Sequence, residues 1–286
     1  MPYNVLTVVG VGLVGGSVGL AAKARGLTRR VVGVGRREAS LKEAAAAGAV
    51  DETTLDLREG VSGADLVVLA APVDRIADLG EEAVPAMKRG ALATDVGSTK
   101  ARIVERLDSA AAGRVRYLGG HPMAGSEKRG PANARADLFE GATTILTPTA
   151  ATDESALDEL TDFWTTLGSR VVTLPPEAHD AAIAEVSHLP HLAASALMAS
   201  LHGHFLYLAG RGLADATRIA AGDADLWSAI VAENWGPVEG ALDAYRRTLD
   251  EIGAAVKARD RGAVKNILDR ARAARGELET EGPSVG

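Results

Sequence analysis

Apolar and polar positions follow two regimes along the chain. From Val5 to Thr173, short apolar runs alternate with stretches in which apolar positions recur every three or four residues. From Glu177 onward only the helical spacing remains. The runs Val5–Val9, Val31–Val34, Asp65–Ala70, Ala91–Thr94 and Val115–Leu118 predict strands, and Leu13–Arg25, Ser40–Ala47, Arg75–Met87 and Lys100–Ala111 predict helices. Strands alternating with helices imply a mostly parallel, doubly wound α/β sheet, and near-continuous apolar strands are what burial on both faces requires. Thr143–Thr147 and Val171–Thr173, around a helix at Glu154–Leu167, predict two more strands that extend this sheet. Pro175-Pro176 then punctuates the chain, giving an α/β unit over 1–174 and an all-α unit over 175–286. In the second unit, the alanine-rich stretch Ala181–Leu208 is kinked or divided by Pro190; Leu226–Ala232, Val238–Val256 and Arg261–Arg275 predict further helices, and Gly276–Gly286 a frayed tail. Helices apolar over so much of their circumference need cover that a unit of this size cannot supply, so a homodimer through the helical half is expected.

Composition sharpens this picture. The 286 residues are 47% hydrophobic but only 3% aromatic, so the core is built from Ala, Val and Leu. A net charge of −7, with no Lys/Arg run longer than pairs such as Arg29-Arg30 and Arg36-Arg37, argues against nucleic acid as a partner. Zero cysteines exclude disulfides, thiol catalysis and cysteine metal sites, and suit a cytoplasmic enzyme. The uncharged run Val5–Ala22 carries five glycines and no basic residue before it, so it reads neither as a signal peptide nor as a membrane span.

Gly10-Val11-Gly12-Leu13-Val14-Gly15 places the G-x-G-x-x-G pattern between a strand and a helix, the context in which it binds a dinucleotide. Glycines there allow the tight turn and let the backbone approach a pyrophosphate, whose charge meets the helix N-terminus. Ala71 and Pro72 close a neighbouring strand and would pack beside the cofactor. Where an NAD enzyme usually carries Asp or Glu for the ribose 2′-hydroxyl, this chain reads Gly35-Arg36-Arg37. Two guanidinium groups suit a 2′-phosphate, so NADP is expected over NAD, unless the arginines merely solvate a helix start.

The chemistry concentrates in Gly119–Glu127, which follows the strand at Arg114–Leu118. A histidine beyond the carboxyl end of a sheet strand faces outward at a ligand, and a neutral imidazole there can take a proton; the plainer alternative is a solvated loop histidine. Ser98, in Asp95–Lys100, either caps the next helix or offers its hydroxyl to a ligand. Five of the six histidines fall within 26 residues: His179, His188, His191, His202 and His204. His188 and His191 could share a helix face and line a cleft, hold a metal, or be ordinary core histidines; no H-E-x-x-H or equivalent favours the metal. Arg218, in Asp215-Ala216-Thr217-Arg218, is a surface partner of Asp215 or a carboxylate clamp.

Together these motifs resemble the prephenate and arogenate dehydrogenases of tyrosine biosynthesis: Gly10–Ser17, Asp95–Lys100, Gly120–Glu127, Ser187–His191 and Asp215–Ala220 occur in that family's order. The resemblance implies a Rossmann domain, an all-helical dimerisation domain and a cleft between them. It implies NAD(P)-dependent oxidative decarboxylation, with His121 as base toward the substrate hydroxyl, Ser98 bonding that hydroxyl or orienting the imidazole, and Arg218 holding a carboxylate. His188 or His191, Ser126, Glu127 and Asp215 would complete the substrate pocket. Leu213 and Ala214 stand where family members commonly carry an aromatic and then a basic residue, which leaves prephenate and arogenate open; the arginine pair leans toward NADP and arogenate. With no stretch after Gly286 for a regulatory domain, any feedback by tyrosine is expected at the cleft. Two rivals remain: a β-hydroxyacid dehydrogenase, which would need a lysine early in the helical half where this chain has none, and a noncatalytic NADP-binding sensor, which would lack the base and clamp.

Overall fold

The computed structural model describes residues 3–125, 128 and 130–281. Six parallel strands form the main sheet: β1 (Tyr3–Val9), β2 (Thr28–Val34), β3 (Glu52–Thr54), β4 (Leu66–Leu69), β5 (Leu92–Asp95) and β6 (Arg116–Tyr117), in the order β3-β2-β1-β4-β5-β6. Helices α1 (Leu13–Ala24), α2 (Glu38–Ala46), α3 (Leu57–Ser62), α4 (Val73–Ala83) and α5 (Ala101–Ala111) connect them. Each strand sends alternate side chains to opposite faces. Leu6, Val8, Val31, Leu66 and Val68 thus join Phe139, Phe163 and Trp164 in one core. Val9, Val34, Val67 and Leu69 join Ile76, Ile103 and Leu107 in the other. Strand order reverses between β1 and β4, which opens a crevice at their carboxyl ends where ligands of such sheets gather.

The strands expected to extend this sheet do not. β7 (Gly119–Pro122), β8 (Thr143–Thr147) and β9 (Arg170–Thr173) form a separate three-stranded sheet, with β7 antiparallel to β8, while α6 (Glu154–Thr166) covers the first core. Two glycines allow the departure. A Cβ on Gly119 would stand 2.5 Å from Thr147 Oγ1 and 2.7 Å from Val104, and one on Gly120 2.9 Å from the Asp95 carbonyl. The chain therefore crosses hard against β5 as it leaves the main sheet, and His121 sits in a strand rather than in a solvated loop. β3 and α3 went unpredicted: β3 reads Glu-Thr-Thr, and α3 is a six-residue helix with only Leu57 and Val61 as large apolar positions, capped by Asp56, which accepts from Arg58 N at 2.9 Å and Glu59 N at 3.1 Å.

The second half is helical: α7 (Pro176–Ile183), α8 (Leu189–Ser200), α9 (Arg211–Thr217), α10 (Ala224–Ala232), α11 (Trp235–Lys257) and α12 (Arg261–Glu281). The division expected at Pro190 falls just before it. A π-helical turn spans Ala184–His188, and Pro190 opens α8 where a missing N–H is harmless. Regular α-helix ends at Ser200, short of the expected Leu208, and 3₁₀ turns follow. At the other end α12 continues through the expected frayed tail to Glu281. The core of this half is small, centred on Ala184, Val231, Val238 and Ala241. Tyr207 (80% exposed), Leu208 (69%), Val186 (68%) and Trp235 (66%) face outward. Among the described residues no helix is long and apolar enough to cross a membrane.

Candidate active site

At the crevice, the three glycines of the motif have three different surroundings. Gly10 has φ +100°, and a Cβ there would lie 2.4 Å from the Ala70 carbonyl oxygen; one on Gly15 would lie 2.0 Å from the Gly10 oxygen. Around Gly12 there is open space, at the N-terminus of α1, where the first N–H groups of the helix, those of Leu13, Val14 and Gly15 among them, lack intrahelical acceptors. Sterics thus demand glycine at 10 and 15, and at 12 leave room for an anion to approach. A cavity of about 450 Å³ opens here, lined by Gly10, Gly12, Arg36, Arg37, Ser40, Ala71, Pro72 and Arg75 among others. Arg36 and Arg37 are exposed at its rim and carry no carboxylate partner among the described residues. The donor set fits a dinucleotide, including one with an extra phosphate at its rim.

Farther along the sheet lies a buried polar cluster. His121 on β7 is 8% exposed, and its Nδ1 lies 2.8 Å from Nε2 of His179 on α7. Nδ1 of His179 lies 2.8 Å from the Asp180 carboxylate. That carboxylate also accepts from the backbone N–H of Lys100 at 2.7 Å and of Ala101 at 2.9 Å, capping α5 from the other half of the chain. Burial, then the neighbouring His179, Lys100 and His188, holds the His121 pKa well below the ordinary histidine value. The ring is neutral at physiological pH, so a proton can be taken there.

Beneath His121, Asp95 ends β5 with no exposed surface and pairs with the equally buried Lys100 ammonium. It also accepts from Gly97 N at 2.7 Å and from the Tyr117 hydroxyl at 2.8 Å, and Gly120 N lies 3.4 Å away. Burial pushes the Lys100 pKa down and the Tyr117 pKa well up. One carboxylate thus ties β5, β6, β7 and the following loop together. Ser98 lies half-buried in that loop and does not cap α5, because Asp180 already holds those N–H groups. Sequence reasoning assigned no role to His179 or Asp180; the dipeptide carries no spacing signature, and its partners lie far away in the chain.

The remaining candidates fall in three places. His188 is buried in the π turn, where Asn234 Nδ2 donates to its Nδ1 at 3.2 Å, and desolvation lowers its pKa to about 4. His191 is buried and stacked on Trp227, with ring centroids 3.6 Å apart and planes 11° apart; burial lowers its pKa, and its Nδ1 has no hydrogen-bond partner among the described residues. Gly222 closes over this stack, since a Cβ there would lie 2.7 Å from both His191 Cε1 and Trp227 Nε1. Asp215 and Arg218 are exposed around the end of α9 and form no ion pair with each other. Ser126 and Glu127 lie outside the described residues. Among the described residues, no three His, Asp or Glu side chains gather as a metal site requires.

A parallel sheet with a glycine-lined crevice, followed by a helical half that completes a buried histidine cluster, defines a dinucleotide-binding protein of the dehydrogenase type. Residues 18–173 match the family model for the prephenate dehydrogenase nucleotide-binding domain, and residues 175–270 that for the prephenate dehydrogenase dimerization domain. The chain belongs to the prephenate dehydrogenase family. It is 34% identical over 264 residues to the prephenate dehydrogenase of Bacillus subtilis strain 168, covering 90% of this chain and 71% of that one. Among solved structures, prephenate dehydrogenase from Aquifex aeolicus in complex with hydroxyphenyl propionate and NAD+ superposes with a TM-score of 0.90 at 29% identity, over 97% of this chain and 99% of that one. Synechocystis arogenate dehydrogenase superposes with a TM-score of 0.83 at 28% identity, over 96% and 99%.

Proposed function

We propose that this chain is an NADP-preferring dehydrogenase that oxidatively decarboxylates arogenate or prephenate, with arogenate favoured, in tyrosine biosynthesis. The observation that carries this reading is His121: a neutral, buried imidazole at the carboxyl end of the sheet, with one ring nitrogen already engaged. His121 takes the proton of the ring hydroxyl as that carbon becomes a ketone, and Ser98 hydrogen-bonds the same oxygen. A bound nicotinamide supplies the hydride acceptor. The ring carboxylate then leaves as carbon dioxide, its bonding pair restores aromaticity and carries charge onto the former ketone oxygen, and His121 returns the proton to it. The proton is therefore borrowed rather than consumed. Arg218 holds a substrate carboxylate, Asp215 sets its approach, and His188, His191, Ser126 and Glu127 line the pocket. Gly10, Gly12, Leu13, Val14 and Gly15 hold the pyrophosphate, Ala71 and Pro72 flank it, and Arg36 and Arg37 hold the 2′-phosphate.

The outward-facing Val186, Tyr207, Leu208 and Trp235 support a homodimer through the helical half, as does the family's description of that half as a dimerization domain. The deciding experiment measures reduced cofactor for prephenate and for arogenate, each with NAD+ and with NADP+. Turnover greatest with arogenate and NADP+ is expected; a protein that turns over neither substrate would sink the reading, and a preference for NAD+ would remove the assignment of Arg36 and Arg37.

A further inference from the structure

Resting on the reading of His121 as the base, we infer that His179 and Asp180 are positioning residues that fix which nitrogen of His121 can take a proton. With both rings neutral, the chain of donors and acceptors admits one consistent assignment. Asp180 receives N–H groups from Lys100 and Ala101 at 2.7 and 2.9 Å, so its carboxylate acts there as an acceptor. The third contact, at 2.8 Å to Nδ1 of His179, therefore places the proton on that nitrogen. A neutral His179 is then bare at Nε2 and accepts from His121 Nδ1 at 2.8 Å. His121 must carry its own proton on Nδ1, which leaves the lone pair on Nε2. Each assignment follows from the one before, and the first is set by backbone amides that cannot reverse their role.

The arrangement has the logic of a serine-protease triad, in which an aspartate holds a histidine in one tautomer, except that a second imidazole stands between carboxylate and base. It also meets the positive charge that appears when His121 takes its proton. Both rings are buried, and an imidazolium there would be costly without a nearby anion. The charged and titratable groups facing His121 are His179 with Asp180 from α7, Lys100 at the start of α5, and His188 from the π turn. Lys100 is neutralised by Asp95, so Asp180 supplies the stabilising charge.

Three variants test this. Asp180→Asn removes the charge but leaves an acceptor oxygen at Oδ1, the atom that meets both Lys100 N and His179 Nδ1, so it keeps the tautomer and deletes only the anion. His179→Leu removes the acceptor altogether, whereas His179→Gln keeps an acceptor oxygen near the position of Nε2. Turnover should fall about 10²- to 10⁴-fold in Asp180→Asn and in His179→Leu, with little change in KM, and stay within about tenfold in His179→Gln. The acid limb of the kcat profile should move to lower pH in Asp180→Asn, because the lost anion no longer favours the imidazolium. Nitrogen-15 spectra of histidine-labelled protein, assigned by loss of the signal in His121→Asn, should show the Nδ1–H form of His121 in the unmodified chain and in Asp180→Asn, and lose it in His179→Leu. Thermal unfolding identifies any variant that has merely lost its fold, and His179→Gln still decides the question if the other two fail. A retained Nδ1–H form in folded His179→Leu, an unchanged pH profile in folded Asp180→Asn, or His179→Gln as damaged as His179→Leu, would overturn the inference. If the tautomer behaves as described but His121→Asn keeps its turnover, the base assignment falls and the positioning chain stands.

Discussion

Asp95→Asn should destabilise the protein by about 3 to 5 kcal/mol, the usual cost of removing one partner from a buried ion pair. The substitution keeps size and shape, so packing contributes little. What it leaves behind is the Lys100 ammonium, with no exposed surface and no ion-pair partner. An amide has a single acceptor oxygen, so it also fails one of the groups now held by the carboxylate, Gly97 N at 2.7 Å or the Tyr117 hydroxyl at 2.8 Å, for about 1 kcal/mol more. At about 2 to 4 °C per kcal/mol for a chain of this order, the melting temperature should fall by roughly 8 to 24 °C. The pH dependence gives a sharper check. Burial already pulls the Lys100 pKa below 10.5, and without Asp95 only the charge of Asp180 opposes that pull. A group whose folded pKa lies below its unfolded value favours folding above the unfolded pKa and progressively less as pH falls toward the folded one. The stability lost by Asp95→Asn should therefore be larger at lower pH and shrink as pH rises toward that of free lysine. Urea unfolding at several pH values, with Lys100→Met and the double variant completing a cycle, measures this, and the double variant should be less damaged than the sum of the two. A loss below about 1 kcal/mol, or one that does not change with pH, would refute the argument that a stranded ammonium dominates.

His121→Asn should bind cofactor normally and lose about two to four orders of magnitude in turnover, measured by cofactor titration beside steady-state rates. Replacing Arg36 and Arg37 with alanine should raise KM for NADP about 10- to 100-fold, at about 1.5 to 3 kcal/mol for a charged hydrogen bond, with NAD nearly unaffected; equal effects on both cofactors would contradict a 2′-phosphate site. Gly222→Ala should cost about 1 to 3 kcal/mol and change Trp227 fluorescence, because its Cβ would stand 2.7 Å from His191 and from the Trp227 indole. His188, with a folded pKa of about 4 against 6.5 for the free group, favours folding fully above about pH 6.5 and loses that contribution as pH falls toward 4; His188→Gln should flatten stability over this window in urea titrations.

What was legible in the sequence is what local sterics and periodicity encode. The glycines at 10 and 15 announced the crevice because their requirement is set by atoms within a few residues and by the strand beside them. The doubly wound class followed from alternation, and the helical half from its end. Partnership between distant segments was not legible. Periodicity identified Thr143–Thr147 and Val171–Thr173 as strands but said nothing of whom they pair with, and the turn at Gly119-Gly120 takes them into a second sheet. His121 was recognisable as a residue. Its surroundings were not, since His179 lies 58 positions away and the cap on α5 comes from Asp180, 80 positions after Lys100. The polar β3 escaped because its edge position requires no apolar pattern.

These long-range contacts couple the base to the docking of the two halves. Asp180 caps α5 and ends the chain of rings that begins at His121, so one carboxylate serves both a helix of the sheet domain and the histidine on β7. Its own position is set from farther along: Asn234 Nδ2 donates to the Asp180 carbonyl at 2.9 Å while contacting His188 at 3.2 Å, and Glu233 beside it pairs with Arg102 on α5 at 3.0 Å. The described residues of the cofactor cavity, by contrast, all lie before residue 132. The first 174 residues thus contain the lining of the dinucleotide crevice but neither the acceptor for His121 Nδ1 nor the cap for α5. Dinucleotide binding and the proposed deprotonation by His121 therefore rest on separable parts of the fold: loosening the halves should spare the first and impair the second.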